Sequence, residues 1–160
     1  TMRKSWAWHA TDFNWKPSEA MTQLLVQNAS MGGNYLLNIG PYANGEIPAP
    51  SIRRLREIGA WLHAHGESIY GAFPLDDIPA PGWCRLTSRK NEDAEHIVYA
   101  HVMEWPLGRP VKLPSALGAA RSATVLETGE PVRLSDNGLS FEKPSGGLHP
   151  AVATIRLVMK

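Results

Sequence analysis

One cysteine, Cys84, stands among 160 residues, so no disulfide can form within the chain and a thiolate cage for a metal is excluded. It lies in the apolar pattern "WCRLTS", where a buried and inert thiol is expected. No apolar run approaches the ~20 residues that a membrane helix needs. Charge of either sign is also in short supply: 16 Lys and Arg against 15 Asp and Glu leave a net +1, which offers no footprint for nucleic acid or an anionic membrane. The one basic cluster, Arg53, Arg54 and Arg56, falls on a predicted helix beside Glu57 and reads as a solvated face. There is no P-loop, no GxGxxG, no nucleophile-elbow motif, no repeat of fixed period and no low-complexity segment. No secretory leader is visible, which leaves the compartment open, and Thr1 precedes the first methionine, so the natural start is expected to lie upstream. What remains is 43% hydrophobic and 19% charged, a globular composition.

Two halves differ in period. In residues 1–71, "TMRKSW" reads as a strand end and "AWHATDFNW" as the loop after it. Pro17 suits the first turn of a helix running to about Met31, with Met21, Leu24, Leu25 and Asn28 at helical spacing. Gly32 is the expected left-handed cap. "NYLLNIG", residues 34–40, then reads as a strand buried on both faces. Asn44-Gly45 marks a turn, Ser51 an N-cap, and Ile52, Leu55, Ile58 and Leu62 one apolar stripe of a second helix that Gly66 ends. Strand–helix units of this kind build parallel sheets, and two strands are too few to stand alone. The half therefore reads as a piece of a larger α/β sheet or barrel, cut at its N-terminal side. The proline-rich stretch 72–82 reads as a linker. Beyond it, "WCRLTSR", "HIVYAHVMEW", "PVKLP", "SATVLET", "PVRLS", "GLSFEK" and "VATIRLVM" predict seven short strands of an antiparallel sandwich over 83–160, with "SDNG" at 135–138 as a hairpin turn.

Few acidic residues sit where an α/β site is built, at the loops after the strands. Asp12 lies in the first such loop and Glu46 in the second, but no spacing shows that they meet. Glu19 suits a helix dipole, and Glu67 suits a structural hydrogen bond. His63 and His65 point to different helix faces, and His96 and His101 to opposite sides of a strand, so neither pair makes a metal site. His9 sits in an aromatic loop with Trp6, Trp8, Phe13 and Trp15. Such rings either plug the end of a barrel or stack on the C–H face of a sugar. Asn34 and Asn38, four apart in an apolar strand, point the same way; they either tie the sheet ends or face a ligand, Asn38 being placed for the ligand side.

The Ser-Trp-x-aromatic start at 5–8, the Asp-x-x-Trp-Lys loop at 12–16, Gly-Gly-Asn-Tyr-Leu-Leu-Asn-Ile-Gly-Pro at 32–41 and Gly-Glu-x-Ile-Tyr-Gly at 66–71 together resemble the end of the catalytic barrel in family 29 glycoside hydrolases, the α-L-fucosidases. The remainder, with "VYAHVMEWP" as its clearest piece, is similar to that family's C-terminal β-sandwich. The resemblance implies α/β plus all-β: the last βα units of a (β/α) TIM-like barrel in 1–71, a linker at 72–82 and a sandwich in 83–160. It also implies a retaining mechanism whose aspartate nucleophile and acid/base glutamate lie upstream of Thr1, so no catalytic residue is assigned within this chain.

Carried over residue by residue, Trp6 and Trp15 are expected in the sugar pocket, with Trp8, His9, Asn34 and Asn38 near it. The expected partners are fucose or a fucosylated glycan, and the missing N-terminal barrel portion or an oligomeric copy that supplies it; no cofactor, metal, nucleic acid or membrane is implied. Two departures stand out. Ala7-Trp8 replaces the usual Gly-Tyr, in the loop nearest the sugar, and His65 replaces an Asn before Gly-Glu. The alternative is a non-catalytic carbohydrate-binding or structural module, with the sandwich as its working part and Trp83, Tyr99 and Trp105 as its rings.

Overall fold

The computed structural model describes residues 1–75, 77–90, 95–106, 110–146 and 148–160. Helix α1 spans Ser18–Ser30 and α2 spans Ala49–His65. Among the described residues eight strands follow: β1 Phe73–Pro74, β2 Cys84–Lys90, β3 His96–Val102, β4 Val111–Lys112, β5 Ala120–Val125, β6 Leu134–Ser135, β7 Ser140–Phe141 and β8 Ala153–Met159. They form a five-stranded sheet in the order β1-β2-β3-β8-β5 and a three-stranded sheet in the order β4-β7-β6, with every pairing antiparallel.

Each of the seven predicted strands is present, and β6 and β7 pair across the predicted "SDNG" turn, where Asp136 and Asn137 take positive φ. β1 was not foreseen: it opens the 72–82 stretch and pairs with β2. Asp76, in that same stretch, lies outside the described residues.

The sandwich core lies between the two sheets. Cys84, Leu86, Val98, Ala100, Val102, Ile155 and Leu157 of the larger sheet meet Val111 and Phe141 of the smaller one. Strands β3 and β8 are buried along nearly their whole length, because the other face of the larger sheet is covered too. That face carries Thr87, Tyr99, His101 and Arg156, and it meets the end of α2. Thr87 Oγ1 donates to the Ser68 carbonyl (2.8 Å), and Tyr99 donates to Glu67 (3.0 Å), whose carboxylate also pairs with Arg156 (3.4 Å). Glu67 thus has the structural role its position suggested. Trp61 Nε1 donates to the Val152 carbonyl (3.0 Å) and Gln23 to the Ala151 carbonyl (3.1 Å), tying both helices to the strand that leads into β8.

α1 closes as predicted: Pro17 sits at its N-cap, and Gly32 follows with φ +70°. α2 starts two residues before Ser51, capped by Pro48; Ser51 is inside the helix and donates to the Ile39 carbonyl. Proline is favoured at such a start because its missing N–H has no partner there. Gly66 ends the helix as predicted, in right-handed backbone, and opens a 3-10 turn over Gly66–Ser68. The predicted stripe on α2 divides. Ile58 is buried and Leu62 packs beneath, joined by Trp61 and His65, whereas Ile52 and Leu55 stay exposed.

The expectation of a strand end at the start and of a strand buried on both faces over 34–40 is corrected. Among the described residues, no strand is assigned before Phe73. Residues 1–4 and 34–40 carry no strand assignment and are joined where the Met2 N–H donates to the Asn38 carbonyl (3.1 Å). Leu37 and Ile39 pack with Met2 on α1 and α2, but the alternate face is bare, and Leu36 is 93% exposed. A ladder needs lateral partners, and a two-face strand needs a second covering layer. Among the described residues this segment belongs to no ladder, and Leu36 on its alternate face is uncovered.

Candidate functional site

The two segments run in the same direction: Met2 meets Asn38, and Trp6 further along meets Gly40. The loops that follow them, 5–17 before α1 and 41–48 before α2, therefore lie at one end. Gly40 is where they touch. Its φ is +56°, and a Cβ there would fall 3.0 Å from the Trp6 carbonyl oxygen and 3.3 Å from the Ala7 carbonyl carbon. Only glycine accommodates both.

The first loop is held from beneath by Arg3, which is 3% exposed. Its guanidinium donates to the carbonyls of Ala7 (3.2 Å) and His9 (3.3 Å). Lys16 returns the chain, its N–H donating to the Met2 carbonyl (2.8 Å) and its Nζ to the Thr1 carbonyl (2.8 Å). Asp12 closes the loop internally. Its carboxylate accepts the Ser5 N–H (2.8 Å) and the Asn14 N–H (3.2 Å); the Ser5 hydroxyl first, then these amides and Arg3, bring its pKa down to about 2. A carboxylate so fixed as an anion is a loop staple rather than a proton donor.

The expected site residues separate into groups. Trp6 is 80% exposed beside Gly40. Trp8 meets Tyr42 of the second loop edge to face, with centroids 5.2 Å apart and an interplanar angle of 68°. His9 is exposed and engaged locally, its Nδ1 lying 3.1 Å from Thr11 Oγ1. Trp15 is not an open platform: it packs against the core of Met2, Met21 and Ile58, with the guanidinium carbons of Arg3 and Arg54 at 4.9 and 5.3 Å from its centroid. Asn38 is exposed at the loop end of its segment. Asn34 faces the same side but lies at the other end, roughly 13 Å away at strand rise, beside a hollow of about 350 Å³ lined by Ala29, Ile69 and Tyr70. Trp6, Trp8 and Asn38 are thus brought to one end, and Asn34 is not.

Tyr42 and the two arginines were missed as site residues. Arg54 belongs to the cluster read as solvated, and Arg53 does pair with Glu57 on an exposed face (4.0 Å). Arg54 instead donates to the Lys16 carbonyl (2.7 Å) and lies beside Trp15. The one sequence signal for Tyr42 is its place directly after Gly40-Pro41, at the exit of the segment.

In the sandwich, Tyr99 is fully buried, while Trp83 and Trp105 set their edges against Phe141 at 6.4 and 6.1 Å. These rings are packing, not a sugar-facing row. Among the described residues no group of His, Cys, Asp or Glu is arranged to hold a metal, and no helix is long and apolar enough to cross a membrane.

With this geometry in hand, comparison with known proteins is direct. The pattern that defines the family "Alpha-L-fucosidase" matches residues 1–67. Human plasma alpha-L-fucosidase is 34% identical over 140 residues, which cover 82% of this chain and 29% of that protein. Mouse tissue alpha-L-fucosidase is 40% identical over 97 residues, 57% of this chain and 20% of that protein. The solved alpha-L-fucosidase isoenzyme 1 from Paenibacillus thiaminolyticus superposes with a TM-score of 0.87 at 32% identity, over 99% of this chain and 38% of that one. An alpha-L-fucosidase of family GH29 from Bacteroides thetaiotaomicron was solved as a trapped covalent intermediate with 2-fluoro-fucosyl fluoride. It superposes with a TM-score of 0.76 over 98% of this chain and 36% of that one, and at 24% identity that likeness carries the fold alone.

The class is thereby that of the glycoside hydrolases. Within it, the chain belongs to the α-L-fucosidase family, and it spans less than a third of the length of the human relative.

Proposed function

We propose that this chain is the C-terminal portion of a retaining α-L-fucosidase that releases L-fucose from fucosylated glycans. In this reading, residues 1–71 supply the last strand–loop–helix units of a (β/α) barrel, and residues 83–160 form a sandwich that buttresses it. The carrying observation is the bare face of the 34–40 segment, with Leu36 93% exposed above two parallel loop exits rich in aromatics. A retaining hydrolase needs two carboxyl groups about 5 Å apart across the glycosidic bond. Asp12 is committed to backbone amides, so neither that residue nor any other here is given the nucleophile or acid/base role. Those come from the upstream barrel, supplied by a longer polypeptide, a second one or another copy. Trp6, Trp8 and Asn38 then line the sugar end, Trp15 sets the loop that carries them, His9 lies at its margin, and Asn34 serves the opposite end of the sheet.

The lectin-like alternative loses support because Trp83, Tyr99 and Trp105 are packing rings. The test is an aryl α-L-fucoside assay beside the intact mass of the same sample. The 160 residues alone are expected to be inactive, with turnover gained when the barrel is supplied. Turnover by the pure chain, lost on changing one of its own carboxylates, overturns the proposal.

A further inference from the structure

Resting on the fucosidase reading above, we infer that Trp8 and Tyr42 together form the stacking platform for the leaving-group sugar, the ring from which fucose is cut. The two side chains come from different loops and meet as a corner, 5.2 Å apart and close to perpendicular. Each is partly open, Trp8 being 42% and Tyr42 36% exposed, so an aromatic surface remains free for a ligand.

Both rings are held in advance of binding. The residues on either side of Trp8, Ala7 and His9, have their carbonyls bound by the one buried guanidinium of Arg3. Tyr42 sits in a closed turn, its N–H donating to the Glu46 carbonyl (2.9 Å) and its carbonyl accepting from the Gly45 N–H (2.9 Å). Gly40 presses the two loops together. Rings fixed this way lose little conformational entropy on binding.

The chemistry favours the leaving group over fucose itself. A terminal sugar bound for cleavage needs buried, paired donors and acceptors around its hydroxyls. The corner offers instead a half-open aromatic surface. That suits the C–H face of a pyranose whose hydroxyls stay in water. Trp6, at 80% exposed and with no ring partner among the described residues, lacks this support. Sequence reading missed the platform because Trp8 and Tyr42 belong to separate strand–loop–helix units.

The test compares kcat/KM for a fucosylated disaccharide and for α-L-fucosyl fluoride, whose leaving group has no ring, using the protein together with its barrel. In Tyr42→Ala the disaccharide-to-fluoride ratio is expected to fall about fivefold, mainly through KM, from one lost ring contact. Tyr42→Phe keeps the ring and should keep the ratio. Should Tyr42→Ala not fold, Tyr42→Leu reads the same ratio with the volume retained. A ratio unmoved in the Ala or Leu variant, while the fluoride is still hydrolysed, overturns this assignment alone. A wild-type protein that hydrolyses neither substrate overturns the fucosidase reading and this one with it.

Discussion

Acidification to about pH 5 tests the buried cluster that joins the helices to the sheet. His101 is fully buried on β3, its Nε2 lying 3.0 Å from Thr87 Oγ1 and its Nδ1 3.1 Å from Thr154 Oγ1. Thr87 has one hydroxyl proton and gives it to the Ser68 carbonyl, so it accepts from His101. Nε2 therefore carries the hydrogen, and Nδ1 accepts from Thr154. The neutral ring is satisfied at both nitrogens, and a second proton would set two donors against each other unless the Thr154 hydroxyl turned away. Burial, with a smaller contribution from nearby His65, takes the His101 pKa from 6.5 down to about 3.

A histidine with a lowered folded pKa stabilises the native state above the unfolded value and loses that contribution as pH falls towards the folded one. At pH 5 the unfolded ring is protonated and the folded ring is not, a loss of about 2 kcal/mol from this one group. His65, lowered mainly by burial, acts in the same direction. Urea unfolding at 25 °C between about pH 6.5 and 5, followed by tryptophan fluorescence, reads the slope before most carboxylates titrate. His101→Gln retains a donor and an acceptor but cannot titrate, and its slope should be shallower by about one proton's worth, up to 1.4 kcal/mol per pH unit. An unchanged slope in that variant would refute the reasoning.

Trp61→Phe removes the donor to the Val152 carbonyl and should cost about 1–3 kcal/mol in urea unfolding, since the acceptor is left buried; a change within 0.5 kcal/mol, the usual size of a surface effect, would show that the bond does not hold the junction. Gly40→Ala forces a side chain into left-handed backbone against the Trp6 carbonyl, so stability should fall by about 1–3 kcal/mol and the thermal midpoint with it; an unaltered midpoint contradicts the close approach. Asp12 should titrate near pH 2 by NMR, stabilising its loop above the ordinary 3.8 and releasing it as pH falls through the lower value. In Asp12→Asn the Ser5 amide should exchange faster; equal protection would deny the staple. Burial pushes the Cys84 thiol up to about 12, so a disulfide reagent at neutral pH should label it only after unfolding. Rapid labelling of the native chain would place the thiol elsewhere.

Strands β2, β3, β5 and β8 were legible because β-branched runs between turn residues report a local preference, and the same is true of Pro17 and Gly32 around α1. The start of α2 was misjudged because Ser51 resembles an N-cap while its hydroxyl is used across the fold, on Ile39. At the candidate site, Trp6 and Trp8 were singled out by the aromatic loop and the family resemblance, and Asn38 by its place at the end of an apolar segment. The packing of Trp15 was not legible, because its two guanidinium neighbours come from Arg3 and Arg54, one on either side of it in the chain.

The residues by themselves determined the two helices, the succession of short strands, the buried thiol and the family. These depend on periodicity, turn chemistry and motif, which are properties of neighbours in the chain. Tertiary structure alone decided that β3 is covered on both faces, that His101 is fixed in one tautomer between Thr87 and Thr154, and that Trp8 meets Tyr42. It also decided that Leu36 is bare, because burial of a strand face depends on which other elements reach it.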